Sequence, residues 1–233
     1  VKVAWLPDTF GFCWTLPQIF KKSGIDYFVT SKLNWETTLP FPYSVFWWQA
    51  PDGSKILACE TVGGYNHSSL SSLKGELNFL KKHQGINHLL FIYGVGDHGG
   101  GPTKELIEEI MKFSSQKNTP KILFSKAEDY FHELKKFEEE GKAFPVINDE
   151  LYLKTHRGTY TSQSKVKSNN RKAEILLENA EKFASIAKRY GLNNPQKEFR
   201  LIWKKLLFNQ FHDILAGSSI PKVYEDSEKD YAK

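Results

Sequence analysis

Three acidic residues and one histidine stand where their types and surroundings can do chemistry. Asp8 sits in WLPDTFG, between a proline that fixes the backbone and a Phe10-Gly11 step that permits a sharp turn. A turn held on both sides can aim one side chain into a cleft at a strand end, although a Pro-Asp step also opens ordinary surface turns. Far along the chain, NQFHDILAGSS places His212 and Asp213 side by side in an amphipathic run. A histidine on an apolar helix is more often a hydrogen-bonded core residue than a ligand. Two adjacent polar groups among Phe and Leu are nevertheless costly unless something binds them. A carboxylate near one end and a His-Asp pair near the other can form part of a metal site.

Asp97 lies in GVGDHGGGPT, which is dense in glycine. The segment lacks the Gly-Lys-Ser/Thr ending of a phosphate loop, and its spacing does not match GxGxxG. Glycines at a strand end also let a substrate approach the backbone, and an acid there can give a proton to a leaving group. The competing reading is that Asp97 caps the next turn. His98 beside it is an outer-site candidate. Lys32 and Trp35 fall in another strand-end loop, where an aromatic face suits the apolar face of a sugar ring.

These positions need a scaffold, and the 233 residues, 40% apolar and 14% aromatic, are enough to bury a sizeable core. Net charge is +5, from 32 basic and 27 acidic residues intermixed, with no basic stripe that would suit nucleic acid. Cys13 and Cys59 give neither a disulfide framework nor a metal knuckle, and read as free buried thiols. No run is long and apolar enough for a membrane span, and no leader is visible, which suits a cytoplasmic protein. The chain opens on VKVAW without a methionine, so it reads as a piece of something longer.

Periodicity and breakers give the elements. Strands are expected at residues 1–6, 26–30, 45–49, 55–61, 88–93 and 121–124, with a hairpin at Pro51-Asp52-Gly53. HLLFIY, residues 88–93, has the unbroken apolar character of a central strand buried on both faces. Helices are expected over 16–22, from Ser71 or Ser72 to His83, from about Lys104, and over 127–140. Alternating strands and helices imply a parallel sheet, whose ligands bind beyond the carboxyl ends of the strands. Asp8, Lys32 and Asp97 fall at that edge. Three helical patterns follow, at 168–190, 196–215 and 220–231, and imply a three-helix bundle. The fold expected is thus α/β: a parallel-sheet domain over residues 1–157, then a three-helix domain over 158–233.

Together these segments resemble glycoside hydrolase family 38, the zinc-dependent α-mannosidases, in its bacterial and archaeal branch. WLPDTFG with LPQIFKKSGIDYFVTSKLNW looks like the family's nucleophile segment, and GDHGGGPT, HRGTYTSQ, NNRKAE and NQFHDILAGSSI resemble further blocks in the same order. The resemblance implies a retaining glycosidase acting on terminal α-mannosyl residues of a glycan or oligosaccharide, with one zinc ion per complete site. It implies that Asp8 is both zinc ligand and nucleophile, His212 a zinc ligand and Asp213 a sugar contact. Asp97 lies in the block where the general acid is sought, and Lys32 and Trp35 fall where the family lines its sugar subsite. Two carboxyls of a retaining enzyme stand about 5–5.5 Å apart, and the acid needs a raised pKa.

One departure bears on this reading. The family carries an amino-terminal His-x-Asp pair that supplies two more zinc ligands, and this chain has no His-x-Asp. A catalytic zinc wants three protein ligands and an open position. The expectation is therefore a central fragment of a larger enzyme, inactive alone, with the remaining ligands upstream of Val1. Two other readings stay open: another metal-dependent carbohydrate hydrolase using a water nucleophile, and a non-catalytic carbohydrate-binding piece. Oligomeric state is open too, a homo-oligomer included.

Overall fold

The computed structural model describes residues 1–35, 41–96 and 100–232. The chain separates into two compact units, Val1–Thr155 and His156–Lys233, each with a core of its own.

The first unit is built on a five-stranded sheet among the described residues. Its strands are β1 (Val3–Trp5), β2 (Tyr27–Thr30), β3 (Val45–Gln49), β4 (Lys55–Glu60) and β5 (Val146–Ile147), in the order β1-β2-β4-β3-β5. Pairing is parallel except for the β3–β4 hairpin. That hairpin turns at Pro51-Asp52-Gly53, where Gly53 takes φ +84° and the Ala50 N–H meets the Ser54 carbonyl at 2.8 Å. Helices α1 (Leu16–Lys22), α2 (Leu73–Gln84), α3 (Lys104–Ser114) and α4 (Ala127–Glu139) complete the unit. Alternation sorts the strand side chains onto two faces. Phe28, Phe46, Trp48, Ile56 and Ala58 face one core with Phe12, and Leu16 and Phe20 of α1 pack against it. Tyr27, Val29, Val45, Leu57 and Cys59 face the other, which holds Phe131, Leu134 and Phe137 of α4. The Tyr27 and Phe131 rings stack at 4.6 Å. Each large side chain fully buried in this way contributes roughly 1.5–3 kcal/mol.

Two expected strands do not form. The segment 88–93 is half-buried, and its ladder is a single bridge between His67 and Tyr93. The inner strands β2, β4 and β3 are already paired on both sides, so the apolar run finds no central position. It is divided instead between two clusters: Leu89 and Leu90 pack against the core that holds α4, and Phe91 and Tyr93 pack with Leu70, Leu73, Leu106 and Ile110. Residues 121–124 join no ladder: the Ser114 hydroxyl accepts from the Ile122 N–H at 3.1 Å, taking the place of a strand neighbour. Cys59 is buried as expected, whereas Cys13 is exposed.

The second unit holds α5 (Ser164–Lys188), α6 (Gln196–Asn209), the short α7 (His212–Leu215) and α8 (Pro221–Tyr231). The pattern read as one helix over 196–215 is broken, because Phe211 leaves helical geometry at φ −51°, ψ 139°. On α5 an apolar stripe faces outward, with Phe183 71% and Tyr190 82% exposed, while Val166, Asn170 and Leu177 point in. On α6, Leu206 and Asn209 are buried and Ile202 is exposed. Among the described residues no helix is long and apolar enough to cross a membrane.

Candidate functional site

Asp8 stands on the turn that leaves β1. Upstream, the Leu6 N–H extends the β1–β2 ladder to the Val29 carbonyl at 3.0 Å. The Pro7 carbonyl accepts from the Ser31 N–H at 3.2 Å and the Ser31 hydroxyl at 2.7 Å. Downstream, Gly11 at φ +101° reverses the chain, and Phe12 bridges to Leu151 through two backbone bonds, at 2.8 and 3.0 Å. The Phe12 ring then meets Phe28 edge-on at 4.9 Å in the core. Proline and glycine thus bracket Asp8, as expected, and the sheet holds both ends of the turn.

The carboxylate meets a buried cation. Lys32 follows β2, its side chain is 6% exposed, and its Nζ lies 2.7 Å from the Asp8 Oδ1, with Asp8 16% exposed. The same ammonium stands 3.4 Å from the centre of the Trp35 ring, with Phe10 at 5.8 Å and Tyr65 at 6.0 Å. Such placement over aromatic faces favours the cation by about 0.5–2 kcal/mol. The ammonium supplies the counter-charge that a carboxylate withdrawn from water needs. The Trp35 residue is 52% exposed and forms an aromatic wall beside the pair. Asp8 from one loop and Lys32 and Trp35 from another therefore converge. Lys32 turns its charge on Asp8 rather than outward.

Two further groups at this edge escaped sequence reading. Tyr65 reaches Lys32 from the loop after β4, a loop held by His67, whose Nδ1 lies 2.8 Å from the Ile92 carbonyl and Nε2 2.8 Å from Glu76 Oε1. Burial opposes charge on His67, but those two bonds outweigh it and raise its pKa above the ordinary value. Glu60, the last residue of β4, is completely buried. Its place in KILACE, where strand alternation puts an acid at a core position, is the one signal that marks it in the sequence. Asp97 and His98 lie outside the described residues.

In the second unit the polar entry HRGTYTSQ and the NQFHDILAGSS block meet. Lys167 donates from Nζ to the carbonyls of both Ser162 and Leu215, and partial burial lowers its pKa. Asp213 is fixed by the Ser218 hydroxyl, which donates to its Oδ1 at 2.7 Å. Tyr224, buried against Val166 and Ile214, donates to the Asp213 carbonyl at 3.3 Å. His212 opens α7 rather than sitting inside a helix, with its Nε2 3.4 Å from Asp213 Oδ2 and its ring 4.2 Å from that of Phe211. Gly217 (φ +82°) permits the approach of the two blocks, since a Cβ there would stand 2.7 Å from the Ser162 carbonyl oxygen. Gly217→Ala is therefore expected to destabilise by about 2–4 kcal/mol, from left-handed strain plus overpacking. Gly191→Ala, at φ +83° with open space around the added methyl, should cost only about 1–2 kcal/mol. Denaturant unfolding of the two variants checks this, and equal losses would refute the close-packing argument.

Asp8 and His212 offer a carboxylate oxygen and an imidazole nitrogen, donors of the kind zinc takes. Among the described residues, however, no three His, Cys, Asp or Glu side chains gather closely enough to hold a metal. The described donor set is thus short of a zinc site.

Residues 1–150 match the family described as the glycosyl hydrolases family 38 N-terminal domain, and residues 154–233 match the alpha mannosidase middle domain. The chain belongs to glycosyl hydrolase family 38. It is 35% identical over 228 residues to human alpha-mannosidase 2C1 and 35% identical over 236 residues to the alpha-mannosidase of Saccharomyces cerevisiae, in each case over 96% of this chain and 22% of the relative. It spans about a fifth of the length of these curated relatives. A putative mannosylglycerate hydrolase of Halalkalibacterium halodurans is 25% identical over 259 residues, covering 100% of this chain and 28% of the relative. The crystal structure of an alpha-mannosidase from Enterococcus faecalis shares the fold, with a TM-score of 0.81 at 24% identity over 100% of this chain and 28% of that one.

Proposed function

We propose that this chain is part of a retaining, zinc-dependent α-mannosidase that removes terminal α-mannosyl residues from a mannose-containing glycan or oligosaccharide. The observation that carries the reading is the Asp8 carboxylate, held at a strand end by buried Lys32 beside the Trp35 wall. The relatives named alpha-mannosidases, aligned over 96% of the chain, support the choice of sugar.

In this reading Asp8 attacks the anomeric carbon, and the glycosidic oxygen leaves with a proton from Asp97. Water then attacks the same carbon, releases Asp8 and returns a proton to Asp97. Lys32 orients Asp8. Trp35 offers a face to the apolar side of the ring, and Asp213 a carboxylate to its hydroxyls. We assign Asp8 and His212 as two zinc ligands on their sequence context, with the others outside the described residues. Bound zinc would supply Lewis acidity and a grip on sugar hydroxyls. The domain assignment, 1–157 and 158–233, belongs to the same proposal.

The test uses the full-length protein that contains this chain. It should hydrolyse an aryl α-mannoside, lose that activity to a chelator and regain it with zinc. A fluorinated mannoside should label Asp8. Mannoside hydrolysis with no label on Asp8 would favour a water nucleophile, and sugar binding without hydrolysis a non-catalytic role. The isolated 233 residues are expected to hydrolyse nothing detectable, and full activity from them would overturn the fragment reading.

A further inference from the structure

The buried acid that ends β4 has a place in the same cluster. Ser44 pins both of its backbone groups: the Glu60 N–H donates to the Ser44 carbonyl at 2.7 Å, and the Ser44 hydroxyl donates to the Glu60 carbonyl at 2.6 Å. The side chain shares a sheet face with Phe28, Ala58 and Thr30, its ladder partner, and so enters a core that suits leucine better than glutamate. One carboxyl oxygen, Oε1, accepts the Asn34 backbone N–H at 3.2 Å. The other has no hydrogen-bond partner, and neither does the Thr30 hydroxyl across the ladder. A group so placed costs stability unless it does something in return. Burial raises its pKa to about 8, opposed by the backbone N–H groups of Asn34 and Leu33, so the carboxyl keeps its proton at neutral pH.

What the group holds is the short turn Leu33–Trp35. That turn closes through the Trp35 N–H on the Lys32 carbonyl at 3.1 Å, and Leu33 is buried in the same core. Trp35 leaves the turn to lie against the Lys32 ammonium, and the ammonium in turn meets Asp8. We propose that Glu60 is a positioning residue for the Asp8 carboxylate: its carboxyl anchors the Leu33–Trp35 turn, which keeps the indole under Lys32 and Lys32 on Asp8. What Asp8 then does rests on the α-mannosidase reading.

The experiment is a pair of double-mutant cycles in the full-length protein, combining Glu60→Leu or Glu60→Gln with Trp35→Ala. Glu60→Leu fills the core position without an acceptor for the turn. It should lower kcat on an aryl α-mannoside about tenfold while changing KM less than threefold, the pattern of a misplaced reacting group. Glu60→Gln keeps a carbonyl acceptor for the Asn34 N–H and should recover most of that loss. In the Trp35→Ala background, Glu60→Leu should cost far less, because the link through the indole is already broken. Equal cost in both backgrounds, or no recovery by Glu60→Gln, would overturn the proposal. The same cycle read by denaturant unfolding needs no substrate and must also be non-additive. An inactive wild-type protein would sink the α-mannosidase reading alone, whereas an additive unfolding cycle would sink the role of Glu60 alone.

Discussion

Asp8→Asn in the full-length protein should lower kcat on an aryl α-mannoside by on the order of 10⁴-fold or more, the scale on which enzymes lose rate with their nucleophile. The substitution keeps the size and planarity of the side chain. It removes the negative charge that faces Lys32 at 2.7 Å and the oxygen that would form the glycosyl ester. The fold should survive, though less stable by up to about 3–5 kcal/mol because the Lys32 ammonium loses its partner: the turn itself is held by backbone and Ser31 bonds to Pro7, by Gly11 and by the Phe12–Leu151 bridge, none of which uses the Asp8 carboxyl. Circular dichroism and unfolding separate that outcome from simple misfolding. A folded Asp8→Asn protein with more than a few per cent of wild-type kcat would remove Asp8 from the nucleophile's role.

How such a site is encoded can be judged position by position. The bracket around Asp8 was legible because proline and glycine constrain the backbone locally, and the structure uses both as expected. Lys32 and Trp35 were legible as loop residues at a strand end, but their direction was not. A lysine after a strand can point to solvent, and only packing shows that this one is buried against Asp8 and an indole. Glu60 was missed because a glutamate in a strand ordinarily reads as its exposed face. Its burial depends on which strands flank β4, and register is a tertiary property.

The same distinction explains the two lost strands and the outward stripe. HLLFIY carries the composition of a central strand, yet composition states only that a segment will be covered, not by what. Here β2 and β3 occupy both edges of β4, and the segment is covered without a ladder, Leu89 and Leu90 by the core that holds α4 and Phe91 and Tyr93 by the Leu70–Ile110 cluster. On α5, Phe183, Ile186 and Tyr190 keep a helical period, and that period fixes one face without fixing its partner. His212 was read inside a helix because FHDIL continues an apolar repeat. A single residue, Phe211, in extended geometry ends that repeat and exposes the α7 amino terminus.

Lys32→Met should destabilise the protein by about 3–5 kcal/mol, the cost of leaving one charge of a buried pair without its partner. Both side chains are largely shielded, at 6% and 16% exposure, so solvent can do little to replace the lost ammonium. Methionine fills most of the lysine's volume and keeps contact with the Trp35 ring, which isolates the charge from the packing. The decisive comparison places Lys32→Met in the Asp8→Asn background. In that background the Lys32 ammonium is itself the stranded charge, so its removal should cost little or even stabilise, relief of the unpaired buried cation offsetting the lost attraction of about 0.5–2 kcal/mol between ammonium and indole. Lys32→Arg retains the charge and can stack on the indole, but it must fit a larger, planar group into a site with 6% exposure, so its cost should lie between wild type and Lys32→Met. Denaturant unfolding of the four proteins in the cycle gives the coupling directly. If Lys32→Met costs the same with aspartate and with asparagine at position 8, the two side chains are not coupled, and the orienting role assigned to Lys32 falls.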